Sequence, residues 1–222
     1  MIQESTRSLQ QREKIFLTAG PLFWKKGYVA TSIDDIAKAA KINKASIYYY
    51  FKNKAAILYG LALKTIQALI DQALPVLNSQ LRPEEKLNAF ITNHIEFELA
   101  HLGLSGIGQM ERRNLPGKLR EAYTNMRDEY EGIFRKILEE GVEQKRFRCT
   151  NGKLTSLFIL GFLNSIVQWF RTTGKLSSAE VASAAYTFIS YALNSEIGQT
   201  CGSNSRLLTK VEKMRKRRNK IR

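Results

Sequence analysis

TSIDDIAKAAKINKASIYYYFKNK, residues 31 to 54, holds two short helical patterns separated by a three-residue turn, and its reading decides the fold. The first helix is expected to begin at Thr31 or Ser32. There Ser32 can accept the backbone N–H of Asp35, while Asp34 and Asp35 lie at the positive end of the helix dipole. Ile33, Ile36, Ala37 and Ala40 fall on one apolar face. Lys41-Ile42-Asn43 forms the turn, and Asn43 is a good cap for a second helix from Lys44 to about Tyr50. Ile42 and Ile47 point back at the first helix, which leaves Lys44, Ser46, Tyr48 and Tyr49 outside. This is the layout of a helix-turn-helix reader of double-stranded DNA.

The exposed residue types suit that surface. Lysine neutralises phosphate, serine and tyrosine hydroxyls bond phosphate oxygens, and aromatic rings pack on sugars or thymine methyls. Part of Tyr48-Tyr49-Tyr50-Phe51 must nevertheless be core, because four consecutive helical residues cover all sides. Phe51 is expected to be buried, Tyr50 at the boundary, and Tyr48 and Tyr49 largely outside.

The run from Arg12 to Leu58 resembles the N-terminal domain of the TetR family of bacterial transcriptional repressors. The likeness is carried by Ile15, Ala19, Phe23 and the Gly27-Tyr28 ending of a first helix. Thr31, the Asp35-Ile36-Ala37 segment, Lys44 to Phe51, and Lys54 follow in order. The resemblance implies phosphate contacts for Thr31 or Ser32, Tyr48 and Lys54, and groove-facing roles for Asn43, Lys44, Ser46 and Tyr49. Lys41 stands where the family usually has a turn glycine, and Ala45 where glycine or proline is frequent. A left-handed Lys41 would cost about 1 kcal/mol relative to glycine.

Charge placement points the same way without the resemblance. The formal net charge is +15, of which residues 1–54 carry +6, residues 206–222 carry +8, and all the rest only +1. A basic DNA-reading head therefore joins a nearly neutral body. The tail from Arg206 is too charged to bury; it is either a solvated extension or an auxiliary, sequence-independent DNA contact through counterion release.

At 222 residues the chain suits a small head with a larger body. The expected division is 1–54 for the helix-turn-helix domain, 55–200 for a ligand-binding and dimerisation domain, and 201–222 for the basic tail. The class is all-α, with about nine helices. A long helix is expected from Lys54 to Leu74, stopped by Pro75. Another runs from Arg82-Pro83-Glu84-Glu85 to about His101, and a flexible joint or short helix lies over Gly103 to Gly108. Further helices are expected over Lys118–Gln144 and Leu154–Arg171, and the capping box Ser177-Ser178-Ala179-Glu180 starts the last, to Asn194. Two cysteines, Cys149 and Cys201, and no signal peptide fit a reducing, cytoplasmic setting. The richest apolar run, Leu154 to Phe170, is broken by Asn164, Ser165 and Gln168, so no membrane association is expected.

The last two helices form the expected homodimer interface, through Leu157, Phe158, Phe162, Ile166, Trp169 and Phe188. A two-fold pair of heads meets a palindromic site, and the family implies a four-helix bundle of these helices. The body's inward residues Phe90, His94, Phe97, Met110, Tyr123, Met126 and Tyr130, with Arg113, are either plain core or the lining of a pocket for a small-molecule effector. Glu111 to Pro116, with Arg120, Arg127 and Tyr130, resembles the acyl-CoA-responsive subgroup; the expected effector is a small apolar molecule, of which an acyl-CoA thioester is one candidate. Enzyme signatures are lacking: no GxxxxGK[ST], GxSxG or HExxH occurs, and His94 and His101 have no third metal ligand. No cofactor or metal is expected. The expected function is a dimeric repressor released from its operator by an effector. A nonspecific architectural DNA-binding protein is the alternative.

Overall fold

The computed structural model describes residues 6–104 and 106–194, apart from the side chain of Gln109. The basic tail and Cys201 lie outside the described residues. Nine α-helices and one 3-10 turn make up the described chain. The head consists of α1 (Thr6–Lys26), α2 (Ile33–Ala40) and α3 (Lys44–Tyr50). The body follows with α4 (Lys54–Leu77), α5 (Pro83–Ala100), a one-turn α6 (Ile107–Met110), the 3-10 turn Arg112–Asn114, α7 (Gly117–Glu143), α8 (Gly152–Trp169) and α9 (Ser178–Asn194).

Local chemistry sets the helix ends. Ser32 Oγ accepts from the Asp35 N–H at 3.0 Å, while Asp35 Oδ2 accepts from the Ser32 N–H at 2.8 Å. This closes a reciprocal cap. Asn43 Oδ1 accepts from the Ser46 N–H at 2.7 Å, and Asn53 Oδ1 caps α4 through the Ala56 N–H at 2.9 Å. Ser177 and Glu180 make the expected box at α9. Lys41 takes the left-handed conformation, with φ 52° and ψ 47°. Its strain is offset because the Ile42 N–H reaches the Ala37 carbonyl at 3.1 Å, closing the end of α2.

Pro75 does not stop α4, as its sequence position suggested; the helix continues to Leu77. The proline lies in the last turn, where one missing N–H removes a single bond, and the Asn78 N–H still reaches the Leu74 carbonyl at 3.0 Å.

Helix α4 packs most extensively on α7, and α5 on α9. Ile15, Phe23, Ile36 and Ile47 form the head's share of a core that continues through Ile57, Leu58 and Leu61 into the body. Head and body also meet where Trp24 packs on Gly103 and Gly106. Nearby the Tyr28 N–H donates to Glu111 at 3.3 Å. Among the described residues no helix is long and apolar enough to cross a membrane.

Candidate functional site

The outer face of α3 presents Tyr49, 81% exposed, and Tyr48, 48% exposed, whereas Phe51 is buried at 3% and Tyr50 is half-buried. Tyr49 and Tyr50 meet edge to face, with centroids 4.9 Å apart. Asn43 uses Oδ1 for the cap and for the Ser46 hydroxyl, 2.7 Å away, which leaves its amide nitrogen for another partner. Lys44 reaches outward but pairs with Asp34 at 2.8 Å. That hydrogen bond raises the lysine's pKa above its usual value. Asp35 is held well below the usual carboxylate range, first by the Ser32 backbone N–H and then by Lys26.

Two expected phosphate ligands are placed elsewhere. Thr31 is 1% exposed, and its hydroxyl donates to the Gly27 carbonyl at 2.8 Å. Lys54 Nζ donates to the carbonyls of Tyr28 at 2.7 Å and Thr31 at 2.6 Å. It also lies 4.3 Å from the centre of the Tyr28 ring. Desolvation there lowers the lysine's pKa. Lys54 is thus an internal brace that ties together carbonyls where α1 ends and α2 begins, rather than a phosphate contact. Ser32 remains exposed at the start of α2, with its hydroxyl donating to Asp35 at 2.8 Å. Lys41, in the turn before α3, and Lys52, two residues past its end, are exposed cations not among the expected DNA contacts; their signal was closeness to the recognition helix.

Behind the head, a cavity of about 390 Å³ lies among α4, α5, α7 and α8. Thr65, Ile66 and Leu69 of α4, His94 and Glu98 of α5, and Tyr123 and Tyr130 of α7 wall it, with Arg112 and Arg127 at the side of the 3-10 turn. Of the expected lining, His94, Tyr123 and Tyr130 are there. Phe90 stands one layer back, stacked on Tyr130 at 5.2 Å and on Phe134 at 4.3 Å. Phe97 and Met126 are half-buried away from the cavity, and Met110 is 50% exposed because α6 is too short to bury it. Arg113 instead joins Arg112 and Arg120 in an adjoining surface groove, which shares Arg112 and Thr124 with the cavity. Arg112 lies in the segment Glu111 to Pro116 that the resemblance singled out, whereas Glu98 and Gln168 are polar positions that an apolar periodicity does not mark.

Burial governs the chemistry of this space. His94 is 1% exposed, its Nδ1 lies 2.9 Å from the Tyr130 hydroxyl, and desolvation brings its pKa down to about 4. Burial likewise pushes Tyr123 up to about 12 and Tyr130 well above 10, so both phenols stay protonated hydroxyls. The buried Glu131 is paired by Lys153 and Ser156 of α8 and by Arg135, so its charge holds α7 to α8. Among the described residues no group of three metal-ligating side chains occurs.

On α8 and α9, Phe158 is 73% exposed, Phe188 64%, Trp169 51% and Leu157 46%, an uncovered apolar face. Phe162 belongs to it and lies 5.5 Å from Phe188. Ile166, expected in the same face, is 2% exposed and packs inside the monomer, since its side of α8 turns toward the body.

Comparison with known proteins matches both halves. Residues 15–60 fit the model of bacterial regulatory proteins of the tetR family, and residues 80–193 fit the tetracyclin repressor-like C-terminal domain. The HTH-type transcriptional repressor KstR2 of Rhodococcus jostii (strain RHA1) is 26% identical over 174 residues, 78% of this chain and 85% of that protein. The crystal structure of the TetR family regulator PfmR from Thermus thermophilus superposes with a TM-score of 0.74 at 32% identity, covering 79% of this chain and 96% of PfmR. AibR, solved in complex with isovaleryl coenzyme A and operator DNA, shares the fold at a TM-score of 0.73 and 22% identity, over 80% of this chain and 97% of AibR. With a reciprocally capped helix-turn-helix and a helical body that both match, the chain belongs to the TetR family of DNA-binding transcriptional regulators.

Proposed function

We propose that this protein is a cytoplasmic, dimeric repressor, released from a palindromic operator when a small molecule fills the cavity among α4, α5, α7 and α8. In this reading residues 1–54 are the DNA head, 55–200 the effector and dimer body, and 201–222 a basic tail. Asn43, Lys44, Ser46, Tyr48 and Tyr49, with Ser32, Lys41 and Lys52, face the duplex. The observation that carries the reading is that α4 belongs to both halves. Its first residue, Lys54, braces the carbonyls that position α2, and its middle, Thr65 to Leu69, walls the cavity. A ligand that shifts α4 therefore shifts the head, and DNA and ligand must weaken each other by the same factor.

The effector we favour is an acyl-CoA thioester. Arg112, Arg113 and Arg120 line a groove that opens beside the cavity, and guanidinium groups suit a phosphate-rich head while the acyl part enters the cavity. AibR, which shares the fold, holds isovaleryl coenzyme A in its own complex.

Selection of genomic fragments with the purified protein at physiological salt tests the DNA reading. The expected result is one palindrome bound at least ~1,000-fold more tightly than random duplex. Uniform, steeply salt-dependent binding without enrichment would overturn it. Titrating the selected operator complex with acyl-CoA thioesters then tests release.

A further inference from the structure

One nitrogen of a cavity-lining residue has no partner within the protein. His94 Nε2 is buried and has no hydrogen-bond partner, while Nδ1 is engaged by the Tyr130 hydroxyl at 2.9 Å. A buried ring nitrogen in this state is penalised until something bonds to it. His94 and Tyr130 both line the cavity, so the missing partner can come from a ligand.

The surroundings narrow its chemistry. If Tyr130 donates to Nδ1, Nε2 carries the proton and donates; if Nδ1 donates, Nε2 accepts. A carbonyl oxygen serves only the first tautomer, and a hydroxyl serves both. Glu98, one helical turn along the same face of α5, is 2% exposed and lines the same cavity. In its ionised form the Glu98 carboxylate accepts a hydrogen bond from a hydroxyl and repels a carbonyl or carboxylate oxygen. Tyr123, 3% exposed on the opposite wall, adds a third hydroxyl-compatible group. Ile66, Leu69 and Leu160 supply the rest of the wall as hydrocarbon. A plain alkyl chain would satisfy those three and leave His94 as it is.

We propose that the buried part of the effector is a short hydroxylated acyl chain, its hydroxyl bonded to His94 Nε2. This rests on the reading of the cavity as the effector site, and it adds a requirement to the thioester reading without depending on the CoA head.

The test compares short acyl chains with and without a hydroxyl at successive carbons, in two sets. One set is CoA thioesters and the other the same acyl groups as N-acetylcysteamine thioesters, which lack the phosphates. Binding to the full-length wild-type protein is measured by calorimetry. The expected result is that one hydroxylated isomer binds about tenfold or more tightly than its unsubstituted parent. His94→Leu should erase that preference, and His94→Gln, which keeps a hydrogen-bonding end, should retain part of it. A preference in both sets supports the inference together with the CoA head. A preference only in the phosphate-free set supports the inference and removes the CoA reading. Thioesters that bind through CoA with no hydroxyl preference overturn the inference and leave the CoA reading standing. No preference in either set, bound or unbound, overturns it, and because this comparison uses the wild type it stands even if His94→Leu fails to fold.

Discussion

Lys54 shows how far a single cation can be from the role its type suggests. Its ammonium group closes three carbonyls, at 2.7, 3.3 and 2.6 Å, so Lys54→Ala leaves half-buried acceptors open. The expected loss is about 1–3 kcal/mol, read from chemical denaturation, with the salt dependence of DNA binding per folded molecule unchanged. Asp34 has the opposite effect: it holds Lys44 at the DNA face. Asp34→Asn should free that lysine and remove one repelling charge, steepening the slope of log K against log salt by about one phosphate contact. His94 sets a pH dependence. Its ring protonates near 6.5 when unfolded and about 4 when folded, so the unfolded chain binds the extra proton between those values. Stability is full above pH 6.5 and falls as pH drops toward 4, by up to about 3 kcal/mol. His94→Gln should flatten that part of the curve in denaturation midpoints measured from pH 7 to 4.

Among the elements, the end of α7 packs closely on the segment that follows it. A Cβ on Gly141 would lie 1.9 Å from the Phe147 ring, which is itself 4% exposed. Gly141→Ala should therefore cost at least about 1–3 kcal/mol through overpacking, lowering the melting temperature by several degrees. What the sequence displayed of these elements follows the range of the forces. Helix ends capped by residues three apart, such as Ser32 with Asp35 and Ser177 with Glu180, were legible. So was the outward turn of Tyr48 and Tyr49, because periodicity alone decides it. Thr31 and Lys54 were misread because their partners are remote in sequence or sit at an irregular junction; Lys54 reaches back 26 residues to Tyr28. The cavity was half legible: periodicity places Phe90 inward correctly, yet cannot distinguish a ring that lines a space from one stacked behind it.

For the whole molecule, the dimer proposed above would form through the uncovered face of α8 and α9. Phe158→Glu combined with Phe188→Glu should leave a monomer in sedimentation, with each head still folded by circular dichroism. Operator affinity should fall by about 10²–10⁴-fold as the second head ceases to be held near its half-site. A dimer that survives both charges would remove this face as the interface. The continuity of α4 has a further, purely geometrical consequence. Leu69 in the cavity wall and Lys54 at the head belong to one helix, about 22 Å apart at 1.5 Å per residue. A tilt of roughly 5° pivoting at Leu69 would carry the head about 2 Å, and two-fold symmetry turns this into about 4 Å between the recognition helices, against a half-site spacing of roughly 34 Å. Such a lever magnifies a displacement no larger than a bond length at the ligand into a misfit that two major grooves one turn apart do not tolerate.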